Sequence, residues 1–458
     1  MVFFGDASNI MKFIDLFSGC GGFSLGLLNA GLTGRLAIEK NKDAFNTLNN
    51  NLIKNKKFNY NWDDEILSVG NYDIHTFLDN HSCYLLELGN KQDIDLIVGG
   101  PPCQGFSSAG RRDPADPRNQ LAYDYLKVVS LVKPKYLILE NVVGIQHAFK
   151  GGEELPVSQK IKKELSSLGY IPISIIEDSA DWGVPQNRKR FLLLGIRAEF
   201  LGVSLDKFST QEIISLGNEL SPKLKTELEA YQAVFLSEKD LNNKQSVEDA
   251  ISDLKTLDED SIPLDMSIAE DAPGFRFKRI KAISLSSSNY QKLMRNHQGY
   301  EGKIPSGLRL ANHTIYVINK FKRVLADIDD PILRNEYSLS RCKSIPAEYA
   351  NKVMCTKKAI MRVLDKSKPS VTITTLPDDI LHYDEPRILT VRECARIQSF
   401  PDWFDFYGPY TTGGNRRKSN CPKYTQVGNA VPPLMAEGIG LFMMNCITNF
   451  IENNKVNL

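Results

Sequence analysis

Residues Phe13–Ser24 read FIDLFSGCGGFS and continue into the largely apolar run Leu25–Leu28. This pattern predicts a short buried strand, a glycine-rich turn and then a helix. Glycine lets the backbone of such a turn approach a ligand closely at the carboxyl end of the first strand of a doubly wound sheet. The turn alone is a weak signal, because it is common in nucleotide-binding proteins. No Gly-Lys-Ser/Thr follows it, which argues against a phosphate-binding P-loop.

An acidic residue ends the next apolar run. Glu39 follows Leu36-Ala37-Ile38, about 20 residues after the turn. A carboxylate at this position of a doubly wound sheet can bind the hydroxyl groups of a ribose. The turn and Glu39 together therefore predict a nucleoside-binding site.

A second strand also ends at a distinctive turn. Residues 99–110 read GGPPCQGFSSAG and follow the apolar run Ile94–Val98, which predicts a buried strand that stops abruptly. Cys103 comes just after this strand, where a cysteine beside a ligand crevice can act as a nucleophile. The alternative is a buried structural thiol, because free cysteine is among the most buried residue types. The small, polar and basic residues that follow favour a loop with phosphate contacts.

Further segments lie at predicted strand ends or turns. They are DPRNQL (116–121), YLILENV (136–142), QNRKR (186–190), RILTVRECARIQSFP (387–401) and QVGNAVPP (426–433). Each has a structural alternative: Glu140 could cap a helix, Arg188 and Arg190 could form a solvent-exposed pair, and Asn429 could turn a loop. In their order along the chain, and together with GGPPCQGFSSAG, they resemble the motifs of DNA (cytosine-5) methyltransferases of the restriction-modification type.

The resemblance implies a reaction and roles for four residues. Carbon 5 of cytosine is a weak nucleophile, so the thiolate of Cys103 is expected to add to carbon 6, which pushes negative charge onto N3 and O2. Glu140 is then expected at N3, and Arg188 and Arg190 near O2. Because these atoms are out of reach inside a duplex, the target base is expected to be flipped out.

The resemblance also implies a cofactor, S-adenosyl-L-methionine, and no metal. The residues expected to bind the cofactor are Asp15, Phe17, Gly19, Gly21, Gly22, Phe23, Glu39, Asp73, Ile74, Pro102, Leu121, Asn429 and Ala430. The residues expected to contact DNA in or near the catalytic loop are Gln104, Ser107, Arg111, Arg112 and Gln186.

The order of strand and helix signals predicts the architecture. From about residue 11 to 197 they alternate, as in an α/β protein with a doubly wound, mostly parallel sheet. We therefore expect a catalytic and cofactor-binding domain over residues 1–197. Residues 198–421 are more irregular and polar and are expected to form a target-recognition domain and hinge. Residues 422–458 are expected to return to the catalytic domain.

Charge is unevenly distributed although the formal net charge is only +1. Between Ser237 and Asp271 there are eleven acidic and three basic residues, whereas between Phe275 and Arg323 there are eleven basic and one acidic. A local basic surface, rather than the net charge, is what neutralises phosphates. The basic segment predicts a duplex DNA partner, and a solvent-exposed basic face is the alternative.

Composition indicates a cellular compartment. The eight cysteines include no CxxC pair, and no apolar run approaches the ~20 residues of a membrane span. Residues 1–6 lack the basic and apolar pattern of a secretory signal. We expect a cytoplasmic prokaryotic protein, associated with the nucleoid through DNA and not with a membrane. A chain that carries every motif is expected to act as a monomer, with a cognate restriction endonuclease as a partner by family analogy.

Three other functions remain open from the sequence. Methyltransferases that act on cytosine in tRNA share these motifs but have a shorter segment than residues 191–386 between them. A catalytically inactive DNA-binding relative would not need Cys103, Glu140, Arg190 and Asn429 together. A small-molecule methyltransferase would not need a second domain.

Overall fold

The computed structural model describes residues 10–102, 120–148, 155–241, 244–256, 266–272, 275–280, 284–296, 304–356, 361–411 and 420–456. Within these residues the strands are β1 (Lys12–Leu16), β2 (Thr33–Ile38), β3 (Leu96–Gly99), β4 (Tyr136–Val142), β5 (Tyr170–Asp178), β6 (Lys189–Arg197), β7 (Met266–Ala272), β8 (Phe275–Ile280), β9 (Arg362–Val363) and β10 (Ile380–Leu381). The α-helices are α1 (Gly22–Asn29), α2 (Lys42–Leu48), α3 (Ile74–Asn90), α4 (Leu121–Val132), α5 (Val157–Ser167), α6 (Thr210–Glu238), α7 (Val247–Ile251), α8 (Asn289–Arg295), α9 (Ile315–Asp329), α10 (Pro331–Glu336), α11 (Ala347–Lys352), α12 (Val391–Ile397), α13 (Lys423–Asn429), α14 (Pro433–Asn445) and α15 (Ile447–Asn453).

The chain forms two compact units. The first comprises Met1–Asp178, Lys189–Phe235 and Pro433–Leu458, and the second comprises Ser179–Arg188 and Leu236–Pro432. These units do not divide the chain after residues 197 and 421, and the catalytic and target-recognition domains predicted from the sequence stay predictions. Most of α6 stays with the first unit because it packs along β5, where the Ser221 hydroxyl donates to the Ser174 carbonyl at 2.6 Å.

The first unit is built on a six-stranded sheet in the order β2-β1-β3-β4-β6-β5. Strands β1 to β4 run parallel, and β6 runs antiparallel to both β4 and β5. The sheet therefore has the predicted doubly wound and mostly parallel form. From β1 the chain adds β2 on one side and β3 on the other, so the strand order reverses there. In open α/β sheets, ligands bind at such a reversal, outside the carboxyl ends of the strands.

The core of the first unit depends on close helix contacts as well as apolar strands. Strand residues such as Ile14, Leu36 and Ile97 are fully buried, as expected for parallel strands covered on both faces. Helix α1 packs against α14 at Gly26, where an added Cβ would lie 2.5 Å from the Pro433 carbonyl oxygen. No side chain larger than hydrogen fits there, so Gly26 fixes how closely α1 and α14 approach.

The second unit combines short strands and helices. Strands β7 and β8 form an antiparallel hairpin, and the backbone of residues 308–310 continues it through hydrogen bonds to Ile280 and Lys278. A separate apolar cluster joins α9 and α11 to β9 and includes Val324, Tyr349 and Val363.

Among the described residues no single helix is long and apolar enough to cross a membrane, although the bent pair Lys423–Asn445 and Ile447–Asn453 meets that test together.

Candidate active site

The turn after β1 has the tight backbone that its glycines predict. Gly19 and Gly21 have φ values of 56° and 91°, in the left-handed region that side chains disfavour. The Gly21 amide donates to the Ser18 carbonyl at 2.9 Å, and α1 begins at Gly22. Phe17, which has a φ of 58°, is half-buried and Phe23 is buried. The backbone of Gly19–Gly22 is thus folded into a turn at the strand-order reversal, where a ligand is expected.

Glu39 braces this turn from the end of β2. Its Oε2 accepts a hydrogen bond from the Gly19 amide at 3.0 Å, and its Oε1 accepts one from the Asn41 amide at 2.6 Å. Burial raises the pKa of the Glu39 carboxyl above its usual value. An ionised carboxylate offers about four acceptor positions, so these backbone donors, with the Lys40 amide as a third, still leave capacity for a ribose hydroxyl.

Two neighbouring groups bear on whether a nucleoside cofactor fits. The Ser18 hydroxyl oxygen is buried and has no hydrogen-bond partner among the described residues. Buried polar groups are normally paired, so this oxygen is suited to a ligand atom. Asp15 lies beneath the turn, only 1% exposed, and accepts a hydrogen bond from the Ser24 hydroxyl at 2.7 Å. Burial raises the pKa of Asp15 to about 7, against the opposing effect of that hydrogen bond.

Asp73 and Ile74 lie at the start of α3, next to the Glu39 segment. Asp73 caps the helix by accepting the His75 and Thr76 amides at 3.1 and 3.4 Å. Desolvation opposes ionisation of Asp73, but the hydrogen bond from Lys40 and the amide donors lower its pKa overall. Ile74 is buried, and the Tyr72 amide donates to the Glu39 carbonyl at 2.9 Å. The predicted adenine contact of Asp73 and Ile74 stays a prediction.

The catalytic motif is described only on either side of its cysteine. Pro102 follows β3 and is half-buried, and Leu121, also half-buried, begins α4. Cys103 and the predicted DNA-contacting residues Gln104, Ser107, Arg111 and Arg112 lie outside the described residues, so their roles stay predictions.

Glu140 and Arg190 meet at the same edge of the sheet. Their Oε1 and Nε atoms are 2.8 Å apart, and each side chain is 12% exposed. Arg190 opposes Val142 in the register of β4 and β6, so it lies diagonally across from Glu140 on the same face. The antiparallel direction of β6 is what brings Arg190, near its amino end, to the carboxyl end of β4. Glu140 also borders the strand before Cys103, since a Cβ on Gly100 would lie 3.0 Å from its Oε2.

Asn141 was not singled out from the sequence. It is 3% exposed, and its side-chain amide donates to the Pro101 carbonyl at 3.0 Å. This hydrogen bond joins β4 to the backbone that leads into Cys103. The signal was present, because Asn141 sits inside the Glu-Asn-Val segment that ends β4. A side-chain amide after a strand has too many uses for its partner to be predicted.

The remaining predicted residues belong to the second unit. The Arg188 guanidinium is 3% exposed and donates to the carbonyl oxygens of Gly428 at 3.0 Å and Ile373 at 3.5 Å. Gln186 is fully buried; its amide donates to Gln398 and its oxygen accepts the Ile373 amide at 2.7 Å. The structure thus gives both residues structural hydrogen bonds, and their predicted contacts with substrate stay predictions.

Asn429 and Ala430 end α13. Asn429 is exposed, whereas Ala430 is half-buried and its carbonyl accepts a hydrogen bond from Gln398 at 3.1 Å. Gln398 also donates to the Val427 carbonyl at 2.8 Å. Sequence reasoning did not single out Gln398, although it lies in the segment 387–401. It fixes the end of α13 and therefore the backbone that presents Asn429.

A column of cationic and aromatic groups lies beside the β7–β8 hairpin. The Arg309 guanidinium is stacked between the rings of Phe277, at 4.1 Å from the centroid, and Tyr410, at 3.7 Å. Lys423 covers the same Tyr410 ring at 4.4 Å. On the hairpin itself, Lys278 and Arg279 are exposed. Exposed cations carried on a strand that stacking holds in place are a suitable surface for phosphates.

Comparison with known proteins identifies the family of the chain. Residues 11–444 match the family described as C-5 cytosine-specific DNA methylase. The type II methyltransferase M.DdeI of Desulfomicrobium norvegicum is 31% identical over 94% of this chain and 87% of its own length. The type II methyltransferase M1.HphI of Haemophilus parahaemolyticus is 27% identical over 96% of this chain and 88% of its own length.

A solved structure supports the fold. A prophage-encoded E. coli protein assigned to the DNA modification methyltransferases superposes with a TM-score of 0.59 at 24% identity, covering 95% of this chain and 99% of its own. The family match spans nearly the whole chain, and the predicted resemblance is confirmed. The chain belongs to the C-5 cytosine-specific DNA methylase family and is a DNA cytosine-5 methyltransferase of the restriction-modification type.

Proposed function

We propose that the chain transfers a methyl group from S-adenosyl-L-methionine to carbon 5 of a cytosine flipped out of duplex DNA, through a covalent adduct of Cys103 with carbon 6. The observation that carries this proposal is the Glu140–Arg190 pair, with 2.8 Å between Nε and Oε1. The pair lies where β4 ends and β6 begins, next to the end of β3, which Pro102 follows. An acid and a cation side by side there match the two sites where charge develops when a thiolate attacks the ring.

The roles of the pair follow from the atoms of the base. Addition of the Cys103 thiolate to carbon 6 moves an electron pair toward N3 and O2. Glu140, in its protonated form, donates a hydrogen bond to N3, and Arg190 donates to O2. Arg190 already directs Nε to Glu140 and Nη1 to the Lys189 carbonyl, so its guanidinium orientation is fixed before the base arrives. After methylation a base removes the proton on carbon 5 and the thiolate leaves.

The turn after β1 and its neighbours would hold the cofactor. Glu39 would accept the ribose hydroxyls, the Gly19–Gly22 backbone and Ser18 would border the methionine portion, and Ile74 with Asp73 would border the adenine. When bound, S-adenosyl-L-methionine supplies an electrophilic methyl group. Asp15 supports the turn by accepting a hydrogen bond from Ser24 at its far end, and the cofactor contact of Asn429 rests on the family resemblance alone.

Arg188 and Gln186 have a different role in this proposal from the one expected for them. Their hydrogen bonds to the Gly428 and Ile373 backbone anchor the chain just before β6. They would hold the start of β6 so that Arg190 keeps its position. We therefore assign the contact with O2 to Arg190, and assign anchoring to Arg188.

The second unit would contact the DNA. Lys278 and Arg279 are placed for phosphates, and Arg309 stiffens the strand that pairs with them. The names of the type II relatives support a cognate restriction endonuclease as a partner. We propose further that the chain acts as a monomer on DNA in the cytoplasm of a prokaryotic cell.

The test is trapping on DNA that carries 5-fluorocytosine at the target. The fluorine blocks loss of the carbon 5 substituent, so the wild-type chain is expected to stop as a covalent adduct on Cys103. The Cys103→Ser variant is expected to form no adduct, to lose methylation of duplex DNA and to keep its affinity for S-adenosyl-L-methionine. Cys83→Ser, which changes an exposed free cysteine, is the matched control and should behave as wild type.

Three results would contradict the proposal. These are an adduct mapped to Cys20 or Cys394, retained turnover in Cys103→Ser, and methylation of tRNA in preference to duplex DNA. Peptide mapping of the adduct and parallel assays with labelled S-adenosyl-L-methionine distinguish them.

A further inference from the structure

One cation of the first unit has a carboxylate residue on each neighbouring strand. Arg190 of β6 is in register with Val142 of β4 on one side and with Glu177 of β5 on the other. Residues directly opposite each other in a sheet share a face, with Cβ atoms about 5 Å apart. Since side chains alternate along a strand, Glu140 shares that face as well. Glu140 and Glu177 thus flank the same guanidinium-bearing residue.

The two carboxylates are held by different partners. Glu140 pairs with Arg190 at 2.8 Å. Glu177 is fully buried, and its Oε1 and Oε2 accept hydrogen bonds from Lys225 Nζ at 2.7 Å and from the Gln232 side-chain amide at 2.8 Å. Lys225 therefore balances the charge of Glu177, and Gln232 occupies its second oxygen.

Lys225 and Gln232, the two partners of Glu177, both belong to helix α6. Lys225 and Gln232 lie two turns apart, on the same face of the helix. The helix is fixed along β5 by other contacts as well: the Ser221 hydroxyl bonds the Ser174 carbonyl, and a Cβ on Gly217 would lie 2.9 Å from the carbonyl carbon of Pro172. The position of α6 is therefore set by more than the Glu177 interaction.

We propose that Lys225 and Gln232 are positioning residues for methyl transfer, because they engage Glu177 and so leave the Arg190 guanidinium to Glu140 and the target base. A buried carboxylate that loses an ion-pair partner attracts the remaining nearby cations more strongly, and Arg190 is directly opposite Glu177 in the register of β5 and β6. If Lys225 were absent, Glu177 would compete with Glu140 for Arg190. The inference rests on the role given to Arg190 in the proposed function.

The test is a rescue experiment on the full chain with duplex DNA. Lys225→Met is expected to lower kcat by about tenfold to a hundredfold, the cost of a misplaced catalytic group, with little change in KM for S-adenosyl-L-methionine. Adding Glu177→Gln to Lys225→Met removes the competing charge and is expected to bring kcat back to within about threefold of wild type. A purely structural role of Lys225 predicts no such recovery.

A matched control lies two residues away on the same helix. Lys223 donates to the Asn454 side chain at 3.0 Å, so Lys223→Met removes an equal charge from α6 without touching Glu177. Its kcat is expected to equal that of wild type. Lys225→Gln, which keeps a hydrogen-bond donor but lacks the charge, is measured in parallel, so that a folding defect in Lys225→Met does not decide the outcome. Thermal melting is recorded for every variant.

Distinct results overturn this proposal and the proposed function. Unchanged kcat in both Lys225 variants, or a double variant no better than Lys225→Met, means that Glu177 does not compete for Arg190. An equal loss in Lys223→Met means that the charge of α6 acts in a general way. Each of these results is compatible with adduct formation on Cys103 in the wild-type chain. Failure of that trapping overturns the proposed function instead.

Discussion

Arg190 in the first unit and Arg396 in the second both pair with carboxylates, but their surroundings differ. Arg396 is fully buried, and its three nitrogens donate to Asp253, to Asp402 and to the Ala250 carbonyl, at 2.6 to 3.2 Å. Five hydrogen bonds use every N–H of the guanidinium. Arg190 is 12% exposed and bonds Glu140 and the Lys189 carbonyl through Nε and Nη1.

The difference separates a structural ion pair from one suited to chemistry. A guanidinium with all its donors used holds together the segments that carry its acceptors, here α7 and its continuation to Asp253 with the segment after α12. The Arg190 guanidinium lies at a strand end beside a ligand crevice, and its hydrogen bonds to described residues do not use all of its N–H donors. Such a guanidinium can still bind a substrate oxygen. Charge, burial and pairing alone do not make a functional site.

The largest expected effects come from exchanging each arginine for methionine. Arg396→Met leaves Asp402 buried without this cation and leaves Asp253 with its ion pair to Arg295, and is expected to cost about 3–5 kcal/mol of the free energy of unfolding. Arg190→Met is expected to lower kcat by about 10²–10³-fold, as when one electrostatic stabiliser is removed, with a much smaller loss of stability. Denaturant unfolding and methylation kinetics on both variants measure the two effects.

The distinction between a structural arginine and a catalytic one is contradicted if the two variants behave alike. A strong loss of stability in Arg190→Met would make its pair with Glu140 structural. Normal stability in Arg396→Met would mean that Asp253, which also pairs with Arg295, and Asp402 do not need the charge of Arg396. Arg190→Lys, which keeps the charge but loses the planar fork, is the control for geometry and is expected to recover only part of the activity.

A second prediction contrasts Asp15 with the paired aspartates of the second unit. Asp15 is as buried as Asp253, but its hydrogen-bond donor is the neutral Ser24 hydroxyl, and burial raises its pKa to about 7. The unfolded chain has a pKa near 3.9 for Asp, so the folded state binds this proton more tightly. The contribution of Asp15 to the free energy of unfolding is therefore fully present below about pH 4 and is lost as the pH rises to about 7.

Asp15→Asn is expected to remove this dependence on pH. The loss in the wild-type chain amounts to at most about 4 kcal/mol for the whole shift, at about 1.4 kcal/mol per pKa unit. Chemical unfolding of both proteins near pH 4.5 and pH 8 measures it. Ser24→Ala removes the hydrogen bond from the hydroxyl but keeps the carboxylate and the Ser24 backbone donor, so the pH dependence should persist in that variant. If the free energy of unfolding of Asp15→Asn fell as steeply with rising pH as that of the wild-type chain, the pH dependence would come from other groups, Glu39 among them.

Much of the first unit could be predicted from local pattern. The strand, turn and helix around Gly19–Gly22, the acid at the end of β2, and the strand that stops before Cys103 are all short-range signals, and the structure has each of them. Glu140 and Arg190 were predicted to share a site. Their contact depends on β6 running antiparallel, which no local pattern of an apolar strand reveals.

The hydrogen-bond partners of Arg188 could not be predicted from the sequence. Arg188 and Arg190 sit in one short motif, yet Arg188 bonds Gly428 and Ile373, which are 240 and 185 residues away along the chain. A side chain in a loop just before a strand can point either way, and its choice depends on distant backbone carbonyls. The same holds for Asn141 and Gln398, whose amide groups serve main-chain carbonyls on other segments.

The smallest expected effect concerns the exposed cations of the second unit. Lys278 and Arg279 on β8 differ from the stacked Arg309, because they are exposed to solvent. Replacing both with Gln is expected to weaken binding at all DNA sequences and to flatten the salt dependence, by about 0.9 in the slope of log affinity against log salt for each phosphate that is no longer neutralised. Lys56 and Lys57, exposed in the first unit, are the matched control, and the slope should persist when both are changed to Gln. Equal slopes in both double variants would mean that the β8 cations form only a solvated face. The DNA contacts would then have to be sought in residues 331–365 or 416–418, whereas a change confined to certain DNA sequences would make Lys278 or Arg279 a reader of bases.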